Sequence, residues 1–280
     1  MRIGLLLGAL MMLAGGSGPV SAQSRQQIDQ CGGQDGSPPE VVIAACTALL
    51  EVRPPSAKLR AWVFTNRAVG HVREGKHDLA VKDLDRSIGL DPDQAFPYIV
   101  RGSSYDDLGQ YERALQDFDK AIALDPSSAA AFFNRGVAHL RKGDNQLALK
   151  DYDRAIELDP TDTSALHGRC WVRTLVDRPS EALADCNEVL RLEPVNAGVL
   201  DNRGWVQLKL KRFDVAVTDF DKVLSIQPGS ASALLGRGLA RRMMGDVDRG
   251  DRDINAAKRI EPAIAEQATR LGLSLNSRGP

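Results

Sequence analysis

Aromatic residues are scarce in this chain, and neither sign of charge is in excess. Only 5% of the 280 residues are aromatic, and 36 Lys and Arg stand against 37 Asp and Glu. The chain therefore lacks the basic excess that supplies most non-specific affinity for nucleic acids. So few aromatic side chains suit thin layers of small and aliphatic residues better than a thick globular core. The composition favours a repetitive helical protein and argues against an enzyme or a nucleic-acid-binding protein.

Catalytic and metal-binding signatures are also missing from the sequence. It has no G-x-S-x-G, no P-loop, no dinucleotide fingerprint and no C-x-x-C, and its four histidines are scattered. Paired acids recur along the whole chain, whereas an active site is needed only once. We therefore predict no catalytic residue, no metal site and no cofactor. A thiol-redox enzyme is kept as the least favoured alternative.

Long hydrophobic runs are absent except at the N-terminus. An arginine precedes the apolar run from Ile3 to Leu13, glycines and a proline follow, and small residues end the segment at Ala22. This order is typical of a secretory signal peptide, here predicted over residues 1–22, with an uncleaved anchor as the alternative. We expect an exported chain without further membrane insertion, located in the periplasm of a two-membrane bacterium or secreted.

Prolines recur at a fixed interval of 34 residues. A column of small residues repeats in the same phase, twelve residues before each proline. The segment between these columns predicts an amphipathic helix, since Ala114, Phe118, Ala121 and Ile122 share one face. Each proline then ends its helix. The prolines are Pro92, Pro126, Pro160, Pro194, Pro228 and Pro262, and the small residues are Ala80, Ala114, Ala148, Ala182, Ala216 and Gly250.

These phased columns resemble the tetratricopeptide repeat, a helix-turn-helix of 34 residues. The resemblance implies an all-α fold, a right-handed α-solenoid of stacked helix pairs. It covers residues 61–262 as six units, preceded by a degenerate N-terminal unit or cap at 23–60 and followed by a C-terminal cap and tail at 263–280. The six units are 61–94, 95–128, 129–162, 163–196, 197–230 and 231–264.

Four cysteines in an exported chain invite pairing. In the repeat frame, Cys170 and Cys186 lie on opposing helices of one unit, and Cys31 and Cys46 occupy nearly equivalent places in the degenerate unit. Crossed pairs would join units several repeats apart, although units of a solenoid touch only their neighbours. We predict the disulfides Cys31–Cys46 and Cys170–Cys186, with buried free thiols as the alternative.

Arginine and aspartate also recur in register, with an aspartate 16 residues after an arginine in each of the six units. An arginine on the first helix can reach an acid on the second helix, within its unit or across to a neighbouring unit. We interpret these residues as a stacking ladder rather than as a binding site.

The resemblance implies that the first helix of each unit lines a concave face that binds peptides or partner helices. Aromatic residues on that face are candidate anchors, and asparagines there are candidates for bonding a peptide backbone. The alternative is that the tryptophans pack as ordinary core. The candidate partner-binding residues are Trp62, Phe96, Phe133, Asn134, Trp171, Asn202 and Trp205.

The function predicted from sequence is thus a non-enzymatic scaffold of the cell envelope that binds a protein or peptide in its concave groove. The alternative is a structural role through self-association of the solenoid ends. The expected state is a monomer or a weak homo-oligomer, without nucleic-acid binding.

Overall fold

A computed structural model describes residues 22–33, 36–52, 54 and 56–275. The predicted signal peptide lies outside these residues apart from Ala22, and residues 276–280 of the predicted tail lie outside them too. The chain divides into two compact units, residues 1–134 and 135–280. The described residues contain fifteen α-helices and no strand, so the predicted all-α fold is confirmed.

The first unit holds six helices, and a seventh, α7 (Ala129–Lys142), runs across the boundary into the second unit. The six are α1 (Ala22–Gly32), α2 (Pro39–Glu51), α3 (Ala57–Arg73), α4 (His77–Leu90), α5 (Ala95–Asp107) and α6 (Tyr111–Leu124).

The second unit holds eight further helices and a short 3₁₀ turn at Pro262–Ile264. They are α8 (Asn145–Leu158), α9 (Thr163–Leu175), α10 (Pro179–Leu192), α11 (Ala197–Lys209), α12 (Phe213–Ile226), α13 (Ala231–Met243), α14 (Val247–Ile260) and α15 (Ala265–Arg270).

Helix pairs pack in the same way along each unit. Every helix from α1 to α6 contacts the next one in the chain, and so does every helix from α8 to α14. Alternate helices also touch: α1, α3 and α5 in the first unit, and α9, α11 and α13 in the second. We call these two sets the inner row. This is the repeated packing of an α-solenoid, as the sequence predicts.

The helix boundaries follow the 34-residue repeat, with one departure. The second helices begin at residues 77, 111, 145, 179, 213 and 247, and the first helices begin at 95, 129, 163, 197 and 231. By the same interval α3 should begin at residue 61, but it begins at Ala57. The reason is local, because the Ser56 hydroxyl accepts a hydrogen bond from the Leu59 amide at 3.1 Å and caps the helix one turn early.

Small residues in the repeat let aromatic rings wedge between helices. Phe220 of α12 is fully buried, and its ring lies against the backbones of Gly204 on α11 and Gly236 on α13. A Cβ atom at these glycines would stand 2.6 Å and 2.2 Å, respectively, from the nearest ring carbon. Close helix approach in the second unit therefore depends on glycine at both positions.

We expect Gly236→Ala to lower the free energy of unfolding by about 1–3 kcal/mol, because the ring is held in a packed core and cannot yield cheaply. Gly89→Ala is the matched control, since a Cβ atom at this exposed position of α4 meets nothing within 4 Å. That change should be neutral or slightly stabilising. Thermal and urea unfolding measure both variants, and equal effects would contradict the wedge.

Each predicted arginine–aspartate pair is formed within its own unit of the repeat. The arginine Nε and one terminal nitrogen donate to the two carboxylate oxygens at 2.6–3.0 Å. This bidentate geometry is the strong form of an ion pair. The pairs are Arg67–Asp83, Arg101–Asp117, Arg135–Asp151, Arg169–Asp185, Arg203–Asp219 and Arg237–Asp253.

The free terminal nitrogen of the arginine extends the ladder to the preceding helix pair. Arg101 donates to Asp85 at 2.6 Å, Arg169 to Asp153 at 2.8 Å and Arg237 to Asp221 at 2.7 Å. The hydrogen bond to Asp117 raises the pKa of Arg101 above its ordinary value. The acids within the units are buried, so the ladder fixes the register of stacking as well as adding stability.

The four cysteines lie in the predicted pairing. The Sγ atoms of Cys31 and Cys46 are 2.11 Å apart and those of Cys170 and Cys186 are 2.06 Å apart, at bonding distance. All four residues are fully buried. Each pair joins two consecutive helices, α1 to α2 and α9 to α10.

Non-reducing peptide mapping of the purified chain should recover two linked peptide pairs, Cys31 with Cys46 and Cys170 with Cys186. Reduction should lower the free energy of unfolding by up to about 3 kcal/mol for each bond, because each closes a loop of about 15 residues. Crossed pairs, or four thiols that alkylate in the native protein, would contradict this pairing.

Candidate functional site

The aromatic candidates in the first unit are partly exposed on inner-row helices. Trp62 on α3 packs against the buried cluster around Cys31, Cys46 and Val63. Phe96 on α5 packs against the neighbouring cluster around Leu84. Both side chains thus touch the core with one part and solvent with another, which is what an anchor for a partner requires.

Phe133 and Asn134 lie at the end of the first unit, on α7. Both are partly exposed. The Asn134 side-chain nitrogen donates to the Ala130 carbonyl of its own helix at 2.8 Å. One of its amide hydrogens is therefore already used, which weakens its candidacy for bonding the backbone of a bound peptide.

Trp205 does not lie on an exposed groove wall, where the sequence interpretation had put it. Its side chain is fully buried, and its ring packs edge-on against Phe220 at 5.7 Å between centroids. The indole Nε1 donates to the Ser232 hydroxyl at 2.9 Å. The alternative interpretation, that this tryptophan is core, describes its placement.

The C-terminal segment covers Trp205. Ile264, Ala268 and Leu271 are buried in the same apolar cluster as the indole. The Lys209 ammonium donates to the Leu271 carbonyl at 3.1 Å, which ties this segment to α11. Residues after the last repeat thus pack on the inner-row helices and bury one of the two tryptophans predicted there.

Trp171 keeps partial exposure, although it stands one repeat before Trp205 in the same register. It packs on the edge of the same cluster and borders a cavity of about 330 Å³ within the second unit. The other residues bordering this cavity include Ser232, Glu261, Ile264, Gln267 and Arg270.

A polar cluster lies beside this cavity. The Ser232 hydroxyl donates to Asp201 Oδ2 at 2.7 Å and accepts from Trp205 Nε1 and from Gln267 Nε2, both at 2.9 Å. Asp201 Oδ1 is buried and has no hydrogen-bond partner among the described residues. Burial raises the pKa of Asp201 from its ordinary value to about 6, against the hydrogen bonds from Ser232 and Trp205, which lower it.

Asp201, Ser232 and Gln267 were missed by the sequence interpretation. A signal for Asp201 was present, because it is the one acid in its register column. The same column holds Thr65, Ile99, Phe133, His167 and Leu235 in the other five units. Asn202, the adjacent candidate, is partly exposed, and none of its hydrogen bonds is made within the described residues.

The raised pKa of Asp201 has a consequence for stability. A carboxyl whose folded-state pKa lies above its unfolded value contributes most at low pH, and the contribution is lost as pH rises through about 6. A shift of about two pK units corresponds to about 3 kcal/mol at most. Asp201→Asn should therefore stabilise the protein by about 1–3 kcal/mol at pH 7.5, and the gain should shrink at pH 4. Unfolding curves at both pH values test this, and a gain independent of pH would contradict it.

The described residues offer little for metal binding or acid–base chemistry. No group of three or more His, Cys, Asp or Glu side chains is placed there to hold a metal ion. Burial lowers the pKa of His71 and of His167, so both imidazoles are neutral near pH 7. Among the helices of the described part, none has the length and apolar character needed to cross a membrane.

Two stretches of the chain match models of the tetratricopeptide repeat, at residues 99–163 and 197–230. The matched stretches lie within the helix pairs described above. The chain is a tetratricopeptide repeat protein. A search of curated protein sequences found no match.

Solved tetratricopeptide repeat structures share the fold. YrrB, described as a TPR protein with an unusual peptide-binding site, is 21% identical with a TM-score of 0.56, covering 68% of this chain and 99% of its own. PilF of Pseudomonas aeruginosa is 18% identical with a TM-score of 0.64, covering 74% and 94%. A tetratricopeptide repeat protein of Parabacteroides merdae is 18% identical with a TM-score of 0.64, covering 90% and 100%. At these identities the likeness concerns the fold alone.

Proposed function

We propose that this tetratricopeptide repeat protein is a non-enzymatic scaffold that binds a protein or peptide partner on its inner-row helices. Stacked helix repeats create extended concave surfaces that suit such binding. One observation carries the proposal for this chain: the partly exposed Trp171 borders a cavity next to polar groups that the fold leaves unused. The peptide-binding site named for YrrB supports the same kind of partner.

Location in the cell envelope belongs to this proposal. The N-terminal sequence has the order of a secretory signal peptide. The two cysteine pairs at bonding distance suit an oxidising compartment such as the periplasm. A fusion of residues 1–30 to a reporter, assayed for export and cleavage after Ala22, tests this part independently of partner binding.

Affinity capture with Trp171 variants tests the binding role. The wild-type chain, Trp171→Ala and Leu192→Ala are used as bait against a cell-envelope extract, and any captured partner is purified and titrated. Truncation of an aromatic anchor typically costs about 2–4 kcal/mol of binding, so Trp171→Ala should weaken the partner by about thirty-fold to several hundred-fold.

Leu192→Ala is the control, because Leu192 is 44% exposed on α10, outside the inner row. It should bind the partner like wild type. Equal affinity of all three proteins would place the binding surface away from Trp171. Sizing by light scattering across a dilution series separates self-association from capture of a different protein.

A further inference from the structure

We propose that the cavity beside Trp171 is a subsite for a basic side chain, lysine or arginine, of a bound peptide. This inference rests on the proposed function and specifies the chemistry of the partner. The cavity, of about 330 Å³, has room for one long side chain. Three features of its surroundings favour a cationic side chain over an acidic or a purely apolar one.

The first feature is the wall of the cavity. Trp171 is partly exposed there, and Ile264 of the 3₁₀ turn borders the same space. The aliphatic stem of a lysine or arginine packs well on such surfaces. An ammonium or guanidinium group over an indole face also gains a cation–π interaction.

The second feature is an acceptor without a donor. Ser232 borders the cavity, and its hydroxyl is fully used, donating to Asp201 and accepting from Trp205 and Gln267. Behind it, Asp201 Oδ1 is buried without a hydrogen-bond partner among the described residues. A buried carboxylate oxygen in this state is costly unless an N–H group or a cation approaches it. An acidic ligand would make its situation worse.

The third feature is the charge at the rim. Glu261 and Arg270 both border the cavity and are exposed, and neither forms an ion pair within the described residues. Arg270 by itself opposes a cation. Its flexible side chain, however, can turn into water, whereas the carboxyl of Asp201 is fixed by its bond to Ser232. Two acids and an indole therefore outweigh one guanidinium.

Capped tripeptides provide direct probes of this subsite. We would titrate the full chain, labelled with ¹⁵N at tryptophan, with acetyl-Gly-X-Gly-amide in which X is lysine, arginine, norleucine or glutamate. The chain has three tryptophans, so Trp→Phe variants assign each indole signal. The lysine and arginine probes should shift the Trp171 signal saturably, with norleucine at least tenfold weaker. The glutamate probe should not saturate.

Charge variants supply the decisive comparison. Glu261→Gln should weaken the lysine probe by about fivefold to tenfold, and Arg270→Gln should strengthen it by a few fold. Glu266→Gln is the matched control, because Glu266 is an exposed acid on α15 that does not border the cavity. It should bind like wild type. The indole spectrum of each variant shows whether it is folded.

Three results would overturn the subsite: saturable binding of the glutamate probe at equal or higher affinity, no effect of Glu261→Gln, or no saturable shift with either basic probe. The proposed function is tested separately. A captured partner that depends on Trp171, together with silent basic probes, would refute the subsite and keep the scaffold. Saturable basic probes without any inner-row partner would do the reverse.

Discussion

Replacing Arg203 with methionine is expected to lower the free energy of unfolding by about 3–5 kcal/mol, because it leaves a buried acid without its cation. Asp219 is 1% exposed and accepts two hydrogen bonds from Arg203, at 2.8 and 2.6 Å. The methionine keeps most of the apolar stem, so lost packing explains little of the change. Urea unfolding followed by circular dichroism measures it.

Two controls separate the ladder from a general charge effect. Arg191→Met removes an arginine whose partner, Glu188, is on the protein surface, and it should change stability little. The double variant Arg203→Met/Asp219→Leu should recover part of the loss, since no buried charge is left alone. If Arg203→Met instead kept its stability and lost partner binding, the arginines would belong to the binding site.

Much of the fold was predictable because the repeat states the same information six times. The 34-residue interval locates the second helices to the residue, and the arginine–aspartate register locates their ion pairs. The cysteine pairing followed because Cys170 and Cys186 occupy facing columns of one unit. Each of these predictions needs only contacts within a unit or between adjacent units.

Departures arose where a local signal or a non-repeating segment takes over. α3 begins early because Ser56 caps it, a contact that lies outside the repeat. Lys211 and Asp177 stand where other units have a turn glycine, and the structure holds both in the left-handed region, at φ of 59° and 60°. Periodicity gives the turn, while the residue that must adopt it is a separate choice.

The candidate site was harder to predict for the same reason. Trp171 and Trp205 have identical register, so periodicity gives them identical surroundings. Their exposure differs because residues after the last repeat pack on the indole of Trp205 and leave Trp171 at the border of a cavity. No repeat column encodes that segment, and the bond between Gln267 and Ser232 joins residues 35 positions apart. The polar cluster around Asp201 depends on this same contact.

Replacing Trp205 with alanine should lower the free energy of unfolding by about 3–5 kcal/mol, as expected for a large buried aromatic side chain. The loss combines the cavity left beside Phe220 with the missing indole bond to Ser232. Trp205→Phe should cost less, since it keeps most of the volume and removes only the donor. Thermal unfolding of both variants gives the comparison.

Partner binding by these variants then distinguishes a core tryptophan from an anchor. If Trp205 acts only as core, partner affinity of Trp205→Ala should fall only as far as its folded fraction falls, and conditions that restore folding should restore binding. Trp171→Ala should show the opposite pattern, with nearly wild-type stability and much weaker binding, because its indole is partly exposed. A fully folded Trp205→Ala protein that still loses its partner would mean that the C-terminal segment moves aside and that the partner reaches the buried indole.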